Sequence, residues 1–453
     1  MMISKLFTRY SRRQLHTIVS RDLIKPSSPT PSNRKTYNLS LLDQLSVNAY
    51  VPVVTIFPSS ATDHQSPDSK TTELKHSLSQ TLTKYYPFAG RMSRIGQTFV
   101  DCNDKGVEFI EAKNDSSLSD FLRHFDHKDL DQLCPDDLIW YNRNRRVKDD
   151  ENDMTSPVAG AQITHFACGA VAVAASVTHK VGDASSTFNF VNDWATVTRS
   201  KNKDASDINP HFVTNYEPRN VKVPEILPER EEGIDCVTRS FVFPNSKKND
   251  LKAMAMKMAT EFGQPITNPT FAECLTWLLH KCATAAATKA NSGIFEPSGL
   301  GTIMNMRSNF NEPLPDTAIG NFYQMMDFPT SNESEMTPNA IIGELRKKKT
   351  EVRRIKSLES MLGMIAEAYS EAGMVERLKQ LDQYYVYSFL NRFPAYGIDF
   401  GWGSPVKVSV AGTNKRVTLF LASPDEDGIE ALVCLERREM EIFQNDPMLL
   451  AFC

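Results

Sequence analysis

The 453-residue sequence is short of the features that mark metal, redox, membrane or nucleic-acid proteins. No two of its eight cysteines form a C-x-x-C pair, and the nearest two, Cys274 and Cys282, lie about two helical turns apart. Scattered thiols of this kind suit reduced cysteines in an intracellular protein. The histidines show no zinc spacing; His124 and His127 stand three apart without a partner cluster, so no metal is expected. No apolar run reaches the ~18 residues that span a bilayer, so no membrane is expected. A net charge of −4 excludes nucleic-acid binding by bulk electrostatics. There is no G-x-S-x-G elbow, hence no serine nucleophile of that type.

What is present suits a soluble globular protein: 41% hydrophobic and 23% charged residues, over a length that allows about two to three domains. Residues 1–19 differ from the rest. Lys5, Arg9, Arg12 and Arg13 lie among Ser and Thr with no acid before Asp22. That is the composition of a mitochondrial transit peptide; the alternative is a basic tail on a cytoplasmic protein.

Both halves mix strand and helix patterns. Leu74, Leu78 and Leu82 repeat at helical spacing before Pro87, and Gly96-Gln97 reads as a hairpin turn between short strands. Residues 199–232 are charged, contain prolines and are poor in apolar residues, which places a boundary there. Beyond it, Thr270 and Glu273 form a capping box ahead of an apolar helix. Residues 338–357 read as a basic helix, either a solvated face or a polyphosphate anchor. Stretches 406–410, 416–421 and 430–435 read as closing strands.

The chain is organised around Thr178-His179-Lys180-Val181-Gly182-Asp183. An uncharged run, 170–177, reads as a buried strand, and 184–198 reads as a helix capped by Asp183 or Ser185. His179 therefore sits where a buried strand ends, and a neutral imidazole there can take a proton near pH 7. Far downstream, Asp399-Phe400-Gly401-Trp402-Gly403 forms a tight loop before a strand.

Together, in this order, the two motifs resemble the BAHD family of plant acyl-CoA-dependent acyltransferases. Residues 20–31 (SRDLIKPSSPTP), 39–44 (LSLLDQ), 86–91 (YPFAGR), 101–106 (DCNDKG), 305–307 and 319–321 resemble it too. Ala184 departs from the Gly common after the first motif. Phe271 removes an Arg common in relatives, a candidate contact for CoA phosphate, and CoA-binding residues stay unassigned.

The resemblance implies a fold of two similar mixed-sheet α/β domains, chloramphenicol acetyltransferase-like, joined by a crossover loop with a channel between them. The leader is then 1–19, the first domain 20–200, the crossover 201–232 and the second domain 233–453. It implies an acyl-CoA co-substrate, a small-molecule alcohol, no bound cofactor and a monomer. It makes His179 the general base and gives the Trp402 indole N–H to the oxyanion. It implies that Asp183 is turned from the channel and holds the turn and the ring position of His179 through an Arg, and that Asp399 pairs with Arg307. The YPFAGR and IKPSSPTP stretches resemble members that acylate alkaloids, terpenoid alcohols or sugar esters with short aliphatic groups, and 190–199 (FVNDWATVTR) resembles nightshade members such as tropane-ester synthases. Acetyl or tigloyl transfer to a tropane or other alkaloid is therefore expected. The alternatives are hydroxycinnamoyl or benzoyl transfer to phenolic, terpenoid or sugar alcohols, or a non-catalytic paralogue.

Overall fold

Two six-stranded mixed sheets carry the fold in the computed structural model, which describes residues 16–59, 65–92, 98–136, 138–139, 155–200, 205–213, 235–368, 384–412, 414–425 and 427–453. The first sheet runs His16–Ile24, Val107–Asn114, Ala159–Phe166, Val171–Thr178, Tyr50–Phe57, Lys407–Val410 across its width. The second runs Cys236–Pro244, Gly428–Glu436, Val417–Ala422, Tyr384–Phe389, Ser298–Asn305, Tyr323–Thr330. Each combines antiparallel with parallel pairs, as expected of mixed α/β domains.

The central strands of the first sheet are covered on both faces, which explains their unbroken apolar runs. Val51, Val53 and Phe57 face helices Pro67–Lys84 and Ala184–Ser200; Val54 and Ile56 face Leu118, Phe121 and Leu130. Helix Pro67–Lys84 starts at Ser66, whose side chain accepts from the Ser69 N–H, and buries Leu74, Leu78 and Leu82 on its sheet side. In the second half, the Thr270–Glu273 capping box starts helix Phe271–Ala290.

Three expectations about elements and their placement need correction. His16–Val19, read as the end of a leader, begin the first strand: His16, Thr17 and Ile18 pair with Asn114, Lys113 and Ala112, and Val19 lies at a register shift before Ser20. Lys407–Val410 does not close the second domain; it pairs antiparallel with Val53–Ile56 at the edge of the first sheet. A strand pattern states which residues alternate, not which sheet receives them. The basic helix ends at Val352, and a second helix follows at Leu358–Ala368.

Most of the 201–232 crossover, the 96–97 turn and residues 1–15 lie outside the described residues. Of the crossover, His211–Phe212 pairs in parallel with Ala318–Ile319, and Phe212 packs its ring against Tyr37, Tyr85 and Tyr86. Residues 211–212 are thus held to both halves.

Candidate active site

Strand Val171–Thr178 delivers His179 to the seam between the halves. The His179 N–H donates to the Ala49 carbonyl at 2.8 Å, continuing the ladder for one residue. The chain then turns sharply. Gly182 is required there because a Cβ would stand 2.6 Å from the Ser186 Cβ. Asp183 caps the next helix, accepting from the Ser186 N–H at 3.0 Å.

Asp183 points away from His179 into a buried knot. Arg307 donates to both of its carboxylate oxygens, at 2.8 and 2.9 Å, and the Phe322 N–H donates at 3.2 Å. The same guanidinium reaches the Ala318 and Gly320 carbonyls. Burial alone would raise the Asp183 carboxyl, but Arg307 and the backbone donors hold it below its usual range. Asp183 is a tie between the halves with no contact to the imidazole.

A second knot surrounds the His179 ring. Ser46 Oγ lies 3.1 Å from His179 Nδ1, 3.1 Å from Asn321 Oδ1 and 3.1 Å from the Tyr323 hydroxyl. Asn321 donates to Asp43 and to the His179 carbonyl, and the Tyr323 ring stands edge-on to the imidazole. Ser46 follows the short helix Leu41–Leu45, whose Gln44 carbonyl accepts from Lys180 Nζ at 2.6 Å. Burial lowers that ammonium to about 8, with Asp43 pulling it back up. Burial also pushes the His179 imidazole below 6.5, against the upward pull of its own carbonyl and Asp183. At neutral pH it is an unprotonated base. Nε2 has no hydrogen-bond partner among the described residues.

The second motif is elsewhere, and two expectations fail with it. Asp399 does not pair with Arg307. Its Oδ2 stands 3.5 Å from Arg199, and its Oδ1 accepts from the Gly401 and Gly403 N–H groups at 2.7 and 2.8 Å. Both glycines have φ near +90°, so Asp399 closes a turn that other residues resist. Trp402 does not face His179. Its indole N–H donates to Gln65 Oε1 at 3.0 Å, and its ring packs on Phe57 with centroids 5.5 Å apart. Phe57 pairs with Val171, whereas His179 follows Thr178 at the other end of that strand. Seven residues of strand separate the two ends by roughly 23 Å, too far for an oxyanion donor.

Three cations of the basic helix are ion-paired: Arg346 with Glu273 of helix Phe271–Ala290, Lys347 with Glu344 and Lys348 with Glu351 of its own helix. Among the described residues, no three His, Cys, Asp or Glu side chains gather as a metal site. Sequence reasoning missed Ser46 and Tyr323 altogether. Asp43 and Asn321 lay inside quoted stretches without a role at the site, Asp43 being read only as part of a helix cap with Ser40, which the structure shows.

Comparison with known proteins gives the family and the fold. The family model described as Transferase family matches residues 16–450. The chain is 36% identical over 445 residues to diaboline synthase of a Strychnos species, covering 96% of this chain and 91% of that one. It is 35% identical over 447 residues to 17,18-epoxy-17-hydroxycur-19-ene N-malonyltransferase of Strychnos nux-vomica, covering 96% and 90%. Among solved structures, vinorine synthase superposes with a TM-score of 0.76 at 26% identity, covering 96% of this chain and 98% of that one.

Proposed function

The chain belongs to the BAHD acyltransferases, and on that premise we propose that it moves a short aliphatic acyl group, such as acetyl or tigloyl, from acyl-CoA to an alkaloid hydroxyl, with His179 as general base. That it is an acyl-CoA-dependent acyltransferase of specialised metabolism follows from the family and its relatives. The observation that carries the catalytic reading is a half-buried imidazole, held at Nδ1, whose Nε2 has no protein partner among the described residues.

The imidazole takes the proton of the acceptor hydroxyl as its oxygen attacks the thioester carbonyl. The tetrahedral intermediate collapses with breakage of the C–S bond, and the imidazolium returns its proton to the departing thiolate. General-base help of this kind is typically worth ~10²–10⁴ in rate. The lowered imidazole favours it, because the unprotonated form is then present at neutral pH.

Asp327 supports an amine-bearing acceptor. It lies four residues from Tyr323 on the strand Tyr323–Thr330, so the two share a face, about 13 Å apart. It is half-buried, lies opposite Gly301, which has no side chain, and has no hydrogen-bond or ion-pair partner among the described residues. A protonated alkaloid nitrogen would meet that carboxylate while its hydroxyl meets His179. The same charge disfavours the CoA phosphates on this wall.

Thiol release tests the reading: acetyl-, tigloyl-, benzoyl- and coumaroyl-CoA against alkaloid, terpenoid, phenolic and sugar alcohols. Release with acetyl- or tigloyl-CoA and an amino alcohol supports it; preference for benzoyl- or coumaroyl-CoA with neutral alcohols overturns it. Mitochondrial targeting belongs to the proposal on composition alone. A fusion of residues 1–30 to a fluorescent protein tests it, and a diffuse cytosolic signal would contradict it.

A further inference from the structure

Asn321 bridges two groups that can only accept hydrogen bonds. Its Nδ2 lies 2.8 Å from Asp43 Oδ1 and 2.7 Å from the His179 carbonyl oxygen. Asp43 is buried and already receives the Ser40 N–H at 2.9 Å, the Ser40 hydroxyl at 2.7 Å and the Asn321 N–H at 2.9 Å, so its carboxylate acts as acceptor throughout. These acceptors orient the amide: nitrogen toward Asp43 and the His179 carbonyl, oxygen toward Ser46, 3.1 Å away.

Ser46 has one hydroxyl hydrogen. Asn321 Oδ1 can only accept, so that hydrogen points to it. Toward His179 Nδ1, Ser46 Oγ can then only accept. The Tyr323 hydroxyl, 3.1 Å from the same oxygen, donates to it as well. Nδ1 therefore carries the imidazole proton, and the basic lone pair is on Nε2, the nitrogen without a protein partner among the described residues.

We propose that Asp43 is a positioning residue for catalysis: acting through Asn321 and Ser46, its carboxylate holds His179 in the Nδ1–H tautomer, with Nε2 presented to the acceptor hydroxyl. Catalytic histidines are commonly oriented by a carboxylate in direct contact. Here the carboxylate four residues on in the same motif, Asp183, is bound by Arg307, and a carboxylate 136 positions earlier acts through two neutral side chains. The arrangement fixes the proton without placing a negative charge on the ring, consistent with an imidazole that stays weakly basic.

The proposal rests on His179 being the base, and its test reads the proton directly. Nitrogen-15 NMR of the full-length protein with labelled histidine, the His179 signal assigned by its loss in His179→Ala, distinguishes a protonated from an unprotonated ring nitrogen. The wild type is expected to show Nδ1–H with an unprotonated Nε2. Asp43→Ala should move the ring toward Nε2–H and lower kcat about ten- to hundredfold with the KM for acyl-CoA within about twofold. Asp43→Asn should restore most of both. If Asp43→Ala does not fold, Ser46→Ala, which removes one hydroxyl, should shift the tautomer in the same direction. A wild-type ring protonated at Nε2, or an unchanged tautomer in Ser46→Ala and in folded Asp43→Ala, overturns the proposal. Thiol release that survives in His179→Ala would instead sink the general-base reading and leave the tautomer result standing.

Discussion

Arg307 grips Asp183 through two near-parallel hydrogen bonds of 2.8 and 2.9 Å, with side chains 1% and 9% exposed. One partner comes from the turn after His179, the other from the second half of the chain. The pair holds the first motif against the backbone at Ala318 and Gly320. Removing one partner leaves a buried charge uncompensated.

Arg307→Met is therefore expected to destabilise the protein by about 3–5 kcal/mol. Activity should be lost with the fold. Denaturant unfolding checks this, and a variant with wild-type stability and no activity would return Arg307 to the chemistry.

Trp402→Phe is expected to keep kcat within a few-fold of wild type. It removes the bond to Gln65 and weakens the Lys70 ammonium contact, 5.0 Å from the ring centroid, costing about 1–2 kcal/mol of stability. Loss of an oxyanion donor would lower kcat by ~10²–10³. Steady-state thiol release separates the two.

The local architecture of the site was legible in the sequence. An uncharged Val-rich run, a Gly-containing turn and a capped helix gave the position of His179; the charged, proline-containing 199–232 stretch lies mostly outside the described residues. Partners were not legible. Ser46 stands 133 positions before His179 and Tyr323 a further 144 beyond it; the two-domain fold alone brings them together. For the same reason Arg307 was assigned to Asp399: both acids lie in motifs, and nothing local states which one the folded chain brings to the guanidinium. Trp402 was placed at the wrong end of a strand because a motif carries no coordinate along the sheet that receives it.

Asp327→Asn should raise the KM for a tertiary amino alcohol about tenfold, the scale of one charge-assisted contact, and leave a carbocyclic isostere unaffected. Paired kinetics with the two alcohols measures it. If no amino alcohol is a substrate of the wild type while neutral alcohols are, the alkaloid reading itself falls. Equal KM values for the amine in both proteins would remove only the role of Asp327.

Acid should destabilise the fold through buried neutral histidines. Burial lowers His127 and His165 from 6.5 to about 4 and His280 to about 3. The unfolded chain binds their protons first, so the stability they contribute is fully present above 6.5. It is lost as pH falls from there toward about 4, by up to ~1.4 kcal/mol per pH unit for each group. Melting temperatures across this range should fall steadily. His280→Leu should flatten the slope, and an unchanged slope would contradict the assignment.

The most direct test of the account is the thiol-release rate of folded His179→Ala with acyl-CoA and an accepted alcohol. A loss of ~10²–10⁴ in kcat at an unchanged melting temperature is the predicted result. Wild-type release from that variant would show that the proton is taken elsewhere and that the strand-end histidine is structural.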